Sequence, residues 1–213
     1  MSEKHILFSD TGSIIVSAGA IKKRIIRNGR GSVFTPSDFL TLGSRASVDQ
    51  TLSRLVKDGT IRRLAHGIFD YPKISPRIGP LAPSPDDLAK AVTAKGGHVM
   101  QVSPAKAANL LGLTTQIPAK SIYLTNGPTR SKTIGRQTIH LRNAAPKNLV
   151  AAGKATGLVF QALRYLGKDG VDDQALRILA KSLNASDRKN LEKDSLHAPG
   201  WMQPVARQIA RAC

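Results

Sequence analysis

Residues 32–72 read SVFTPSDFLTLGSRASVDQTLSRLVKDGTIRRLAHGIFDYP, and their punctuation predicts two short helices followed by a hairpin. Thr35 is the natural N-cap of the first helix, with Pro36 at the first helical position, where its missing N–H costs nothing. Leu42-Gly43-Ser44 breaks the pattern, and Ser44 caps the next helix. Val48, Leu52, Leu55 and Val56 then fall at the i, i+4, i+7, i+8 spacing of one buried face. Asp58-Gly59 ends that helix, since glycine takes the left-handed conformation without steric cost. Ile61, Leu64, Ile68, Phe69 and Tyr71 surround an Ala65-His66-Gly67 turn and read as a β-hairpin. Upstream, Ser17–Arg27 (SAGAIKKRIIR) predicts a further helix with Ala18, Ile21, Ile25 and, at its margin, Ile26 facing inward. Asn28-Gly29-Arg30-Gly31 turns it into a short strand, Ser32–Phe34. This order of elements is that of a winged helix-turn-helix, which presents one helix to a DNA groove and a basic hairpin to the backbone beside it.

Once the buried positions are removed, the second helix exposes Arg45, Ser47, Asp49, Gln50, Ser53, Arg54 and Lys57. Arginine matches guanine O6/N7 and glutamine matches adenine N6/N7, which makes Arg45 and Gln50 the candidates for base edges. Ser47, Ser53, Arg54 and Lys57, with Arg62 and Arg63 on the hairpin, are candidates for phosphate, and His66 marks the hairpin tip. A helix of about a dozen residues is roughly 18 Å long, a length that suits a major groove. The competing reading is a solvated amphipathic helix in a protein-binding module of the same fold.

The formal charge of the 213 residues is +18, and the surplus is spread along the whole chain rather than gathered in a tail. A charge of that size favours a polyanionic partner, because each neutralised phosphate releases counterions. Cys213 is the only cysteine, which excludes an intramolecular disulfide and points to a reducing cytoplasm. No stretch has the apolar length of a membrane span, and the start lacks a signal-peptide pattern, so the expectation is a cytoplasmic protein without a membrane partner.

A search for chemistry is unproductive. Asp86 and Asp87 are adjacent, so on a helix they point apart, and both suit the positive end of that helix. His5, His66, His98, His140 and His197 lack metal-ligand spacing. Gly153-Lys154-Ala155-Thr156 lacks the upstream glycine and the Ser/Thr of a phosphate loop, and no nucleophile elbow is present. The expectation is no enzyme, no cofactor and no metal. Phe, Tyr and Trp make up only 4% of the chain, too few to stack single-stranded RNA.

Prolines 72, 76, 80, 83 and 85 predict a stiff linker over residues 74–83, separating the first domain, 1–73, from the rest. Ser84-Pro85-Asp86-Asp87 opens a helix, His98–Val102 reads as a strand, and Ser103-Pro104 starts a helix that runs to Leu111. Ser121–Leu124 and Thr133–Leu141 read as two strands with a turn at Asn126-Gly127-Pro128 between them. Residues 84–146 are therefore expected to form a small α+β domain. Residues 147–213 are expected to be helical, over Ala155–Leu166, Gln174–Leu183, Ser186–Lys193 and Pro204–Ala210.

Gly31-Ser32-Val33-Phe34-Thr35, Leu52-Ser53-Arg54-Leu55-Val56-Lys57-Asp58-Gly59 and Arg63-Leu64-Ala65-His66-Gly67-Ile68-Phe69 resemble the AbiEi-type antitoxins, which are also transcriptional regulators. Pro83-Ser84-Pro85, residues 107–113 (AANLLGL), Pro118-Ala119 and residues 123–128 (YLTNGP) resemble the second domain of a DUF6088-like branch of that family. The resemblance covers roughly residues 15–145. It implies a winged helix that binds repeats in its own promoter and represses the operon. It also implies a second domain associated with neutralising a nucleotidyltransferase-type toxin, directly or indirectly, as in type IV toxin–antitoxin systems.

The sequence thus predicts an α+β protein, with an N-terminal winged helix-turn-helix, a small α+β domain and a C-terminal helical region. The expected function is that of a sequence-specific DNA-binding repressor, and the resemblance implies that it is the antitoxin of a toxin–antitoxin pair. The alternative is a basic nucleic-acid-binding protein without sequence preference, associated with the ribosome or the nucleoid.

Overall fold

The computed structural model describes residues 18–212, which divide between residues 87 and 88 into two compact units. Both α-helices and β-sheets are present, so the protein is α+β. His5, Ser17 and Cys213 lie outside the described residues.

The first unit opens with α1 (Ala18–Asn28), which buries Ile21 and Ile25 and leaves Lys22, Lys23 and Arg27 exposed. Ile26 departs from the expected inward face and is 51% exposed, because the 3.6-residue period rotates it away from its neighbour Ile25. After β1 (Val33–Phe34) comes a 3-10 helix, Pro36–Leu42, in place of a regular α-helix. Asp38 locks its start by accepting bonds from the Thr35 backbone N–H at 2.7 Å and from the Thr35 hydroxyl at 3.1 Å. Ser44 caps α2 (Arg45–Lys57) by accepting from the Ser47 N–H, as its position predicts. α2 ends at Asp58, and Gly59 takes φ +67° beyond it.

β2 (Arg62–Ala65) and β3 (Ile68–Asp70) form the expected hairpin, and β1 adds to its other edge in the order β1-β3-β2. The core joins Ile21 and Ile25 of α1, Phe34, Phe39, the α2 face Val48/Leu52/Leu55, Ile61 and Phe69. Phe34 meets Phe39 edge-on at 5.4 Å and stacks with Phe69 at 6.3 Å. Burying each such side chain stabilises the unit by about 1.5–3 kcal/mol. The stretch expected to be an irregular linker, 74–83, instead carries a two-stranded ladder of β4 (Ile74–Ser75) and β5 (Gly79–Pro80). An antiparallel pair this short has edges on both sides, where proline costs no ladder bond.

The unit boundary falls in the first turn of α3 (Pro85–Lys95), whose start is capped by Ser84 accepting from the Asp87 N–H at 3.1 Å. The second unit then holds a four-stranded sheet, β6 (Met100–Val102), β7 (Ser121–Thr125), β8 (Arg130–Ile134) and β9 (Gln137–Asn143), ordered β6-β7-β9-β8. The single strand expected over Thr133–Leu141 is in fact a hairpin. Gly135 at φ +60° turns the chain between Ile134 and Gln137, and β9 then pairs parallel with β7.

Helices α4 (Pro104–Leu110), α5 (Ala155–Leu166), α6 (Asp173–Lys181), α7 (Ala185–Ser195) and α8 (Met202–Arg211) share one core with Val159, Phe160, Leu163, Leu179, Leu191 and Met202 at its centre. Ala107 of α4 belongs to that core, so the expected division at 146/147 crosses a continuous apolar cluster rather than a linker. Gly157 sits where a β-carbon would collide with the Ala151 carbonyl, which lets α5 approach that turn closely.

Candidate nucleic-acid interface

α2 is one-sided. Val48, Thr51, Leu52 and Leu55 are buried, while Arg45, Asp49, Gln50, Arg54 and Lys57 are exposed. Ser47, at the margin of the exposed face, and Ser53 are half-buried. At 100° per residue, Gln50, Ser53 and Lys57 lie at the middle of that face, with Arg54 on one flank and Arg45 on the other. Arg45 is held by Asp49 one turn on, Nε donating to Oδ2 at 2.8 Å. Exposed i, i+4 pairs of this kind contribute about 0.3–0.5 kcal/mol, so the guanidinium is positioned yet exchangeable.

The hairpin reaches the same region. A depression of about 220 Å³ is lined by Arg45 and Asp49 of α2, Arg63 and Phe69 of the hairpin, His66 and Gly67 of its turn, and Pro36. The structure thus brings Arg45, Arg63 and His66 around one concavity, while Gln50, Ser53, Arg54 and Lys57 continue along the helix outside it. Arg63 lies over the Phe69 ring, 5.3 Å from its centroid, which fixes the base of the side chain.

Arg62 departs from its expected role of holding phosphate. Its guanidinium forks onto the buried Asp70, Nε to Oδ1 at 3.0 Å and Nη2 to Oδ2 at 2.5 Å, and Nη2 also donates to the Leu81 carbonyl at 2.7 Å. The Asp70 hydrogen bonds and charge outweigh the effect of burial and raise the Arg62 pKa further. Arg62 is an internal tie between the hairpin and the chain after β5. The cause is a bulge between Arg63 and Ala65, which places Arg62 directly opposite Asp70. Arg30 belongs to the same edge of the unit, with its guanidinium 4.6 Å from the Tyr71 ring centre and donating to the Pro72 carbonyl at 3.0 Å.

Among the described residues, no three His, Cys, Asp or Glu side chains gather as a metal site, and no helix is long and apolar enough to cross a membrane. The feature that sequence reasoning missed lies in the second unit, where Arg142, Gln161 and Arg164 line a depression. Its one sequence signal was Gln161, a polar residue inside the otherwise apolar run GLVFQAL of α5.

Fold and surface together define an α+β protein with a one-sided basic helix beside a basic hairpin. The chain belongs to DUF6088, a family of unknown function, whose model matches residues 20–191. A solved structure, that of the RV2827C protein from Mycobacterium tuberculosis, is similar at 14% identity and a TM-score of 0.37, over 91% of this chain and 75% of that one. No curated protein matches the chain.

Proposed function

We propose that the first unit is a winged helix-turn-helix that binds double-stranded DNA, with α2 as the recognition helix and β2–β3 as the wing. The observation that carries this reading is the exposed face of α2, with Arg45, Gln50, Ser53, Arg54 and Lys57, flanked by Arg63 and His66 across a shared depression. Gln50 and Arg45 read base edges. Arg54, Lys57 and Arg63 hold phosphates, with Ser53 beside Lys57, Ser47 at the margin of the face and His66 at the wing tip. Arg62 supports the wing from behind through Asp70. The net charge of +18 supplies the long-range attraction that brings the protein to DNA.

In this reading the protein is a sequence-specific repressor of its own promoter. The AbiEi-type motifs make it the antitoxin of a toxin–antitoxin pair with a nucleotidyltransferase-type toxin. The test is fluorescence anisotropy on the DNA upstream of the gene and on a scrambled copy, at about 50 and 200 mM salt, a range over which non-specific binding collapses. A preference of about a thousandfold or more for the native fragment at the higher salt is the expected result. Equal, steeply salt-dependent binding to both identifies the alternative, a nucleoid- or ribosome-associated binder driven by charge, which the even spread of basic residues favours.

A further inference from the structure

α2 carries one acidic side chain, Asp49, exposed among Arg45, Arg54 and Lys57. Asp49 borders the depression shared with the hairpin, where the other charged or titratable side chains are Arg45, Arg63 and His66. A carboxylate in that place repels phosphate, so backbone binding does not account for it. The stability of the helix does not account for the pair either. Arg45 stands at the first helical position, where the positive end of the helix dipole disfavours a cation, and the first turn holds no acid. A cation placed N-terminal to its anion is also the weaker order for an i, i+4 pair.

The bond between the two side chains has a definite geometry. Arg45 Nε donates to Asp49 Oδ2 at 2.8 Å, and among the described residues neither side chain has a second polar partner. The side chains are 58% and 48% exposed, so both Arg45 Nη groups and Asp49 Oδ1 are open to an incoming partner. Two adjacent donors on one guanidinium match guanine, whose N7 and O6 acceptors are adjacent on one base. An A·T pair separates its two acceptors by the adenine N6–H2 donor. The remaining acceptor, Asp49 Oδ1, matches the N4–H2 donor of cytosine. Arg45 is also the first residue of α2, and N-terminal residues of a recognition helix are those that meet base edges.

We propose that Asp49 is a specificity-determining residue of α2, and that Arg45 and Asp49 together read a G·C pair in the target DNA. This rests on the DNA-binding function proposed for the first unit. Asp49 holds the guanidinium by its Nε, so that the Nη groups engage guanine O6 and N7 instead of swinging to a phosphate. Its free oxygen accepts from the cytosine amine. The carboxylate thereby lowers affinity for DNA in general while raising the preference for one base pair, as a repulsive element does in other specific interfaces.

The test is competition anisotropy of the full-length protein at about 200 mM salt. The competitors are the DNA upstream of the gene, a scrambled copy, and copies that each carry one G·C→A·T exchange. At least one exchange should cost the parent protein about tenfold or more. In Asp49→Ala that same exchange should cost less than about threefold, while the scrambled copy is bound at least as tightly as by the parent. Arg45→Ala should lose the same preference. Asp58→Asn, which removes an exposed carboxylate at the other end of α2, should keep it. The proposal is overturned if Asp49→Ala retains the full preference at that pair, or if it weakens every copy by one factor, as a role confined to holding the helix would. Equal loss of the preference in Asp58→Asn would also overturn it, because the effect would then belong to diffuse charge. A parent protein that prefers the upstream DNA yet ignores every G·C→A·T exchange refutes this proposal alone. One that binds the upstream and scrambled copies equally refutes the specific DNA-binding function, and this proposal with it.

Discussion

Asp70 is the residue on which the first unit's hairpin turns. It is fully buried, and its two oxygens are taken by Arg62, whose side chain remains about one-third exposed. Asp70→Ala strands a guanidinium and also loosens its bond to the Leu81 carbonyl. Breaking a fully buried pair costs ~3–5 kcal/mol, and the partial exposure of Arg62 reduces this to about 2–3 kcal/mol. Urea titration combined with hydrogen exchange of the β2–β3 amides measures the loss in the unit concerned. A change below about 0.5 kcal/mol would reassign the pair to the class of surface ion pairs that contribute little.

At the scale of elements, α2 and the hairpin divide their work by what each can reach. Gln50 stands at the middle of the exposed helical face, whereas Arg63 is anchored on Phe69 at the hairpin. Gln50→Ala should therefore cost ~1–3 kcal/mol of binding on the cognate site alone. Arg63→Ala should weaken cognate and random DNA alike and reduce the salt slope by about one. Competition anisotropy with both DNAs separates the two, and parallel losses for both variants would refute the assignment of roles. The capping of α2 by Ser44 and the amphipathic face Val48/Leu52/Leu55 were legible in the sequence, because both depend on spacings within one helix. The 3-10 form of Pro36–Leu42 was not, since a cap and a proline announce a helical start without distinguishing the two helical types.

For the whole molecule, +18 is a self-repulsion as well as an attraction for polyanions. Lys132, on the edge strand β8, shows this locally. Its pKa is lowered first by burial and then by Lys95 and Arg130. A lysine whose pKa is lower in the fold than in the unfolded chain opposes folding while charged. That penalty is present at neutral pH and is relieved as pH rises through its folded pKa. Screening relieves the repulsive part at neutral pH, so raising NaCl from about 50 to 500 mM should raise Tm, and Lys132→Gln should flatten part of that response. Differential scanning calorimetry reads both. A Tm that falls with salt would mean that attractive surface pairs outweigh the net repulsion.

The sequence by itself determined what is settled within a turn or two of helix. This covers the extent of α5, predicted and found at Ala155–Leu166, the capping of α2 and α3, and the burial of Ile21 and Ile25 in α1 and of Val48, Leu52 and Leu55 in α2. Only the tertiary structure decided the pairing of β9 with β7 and the partner of Arg62. An unbulged two-residue turn would have put Arg63 opposite Asp70, and one extra residue in β2 exchanged a surface arginine for a structural one. The bonds that Gln161 and Arg164 donate to the Asn148 and Lys147 carbonyls were equally hidden, because they join α5 to residues that the fold brings back against it. Helical periodicity is a property of neighbours along the chain, whereas strand register and hydrogen-bond satisfaction belong to groups that meet only when the chain has closed on itself.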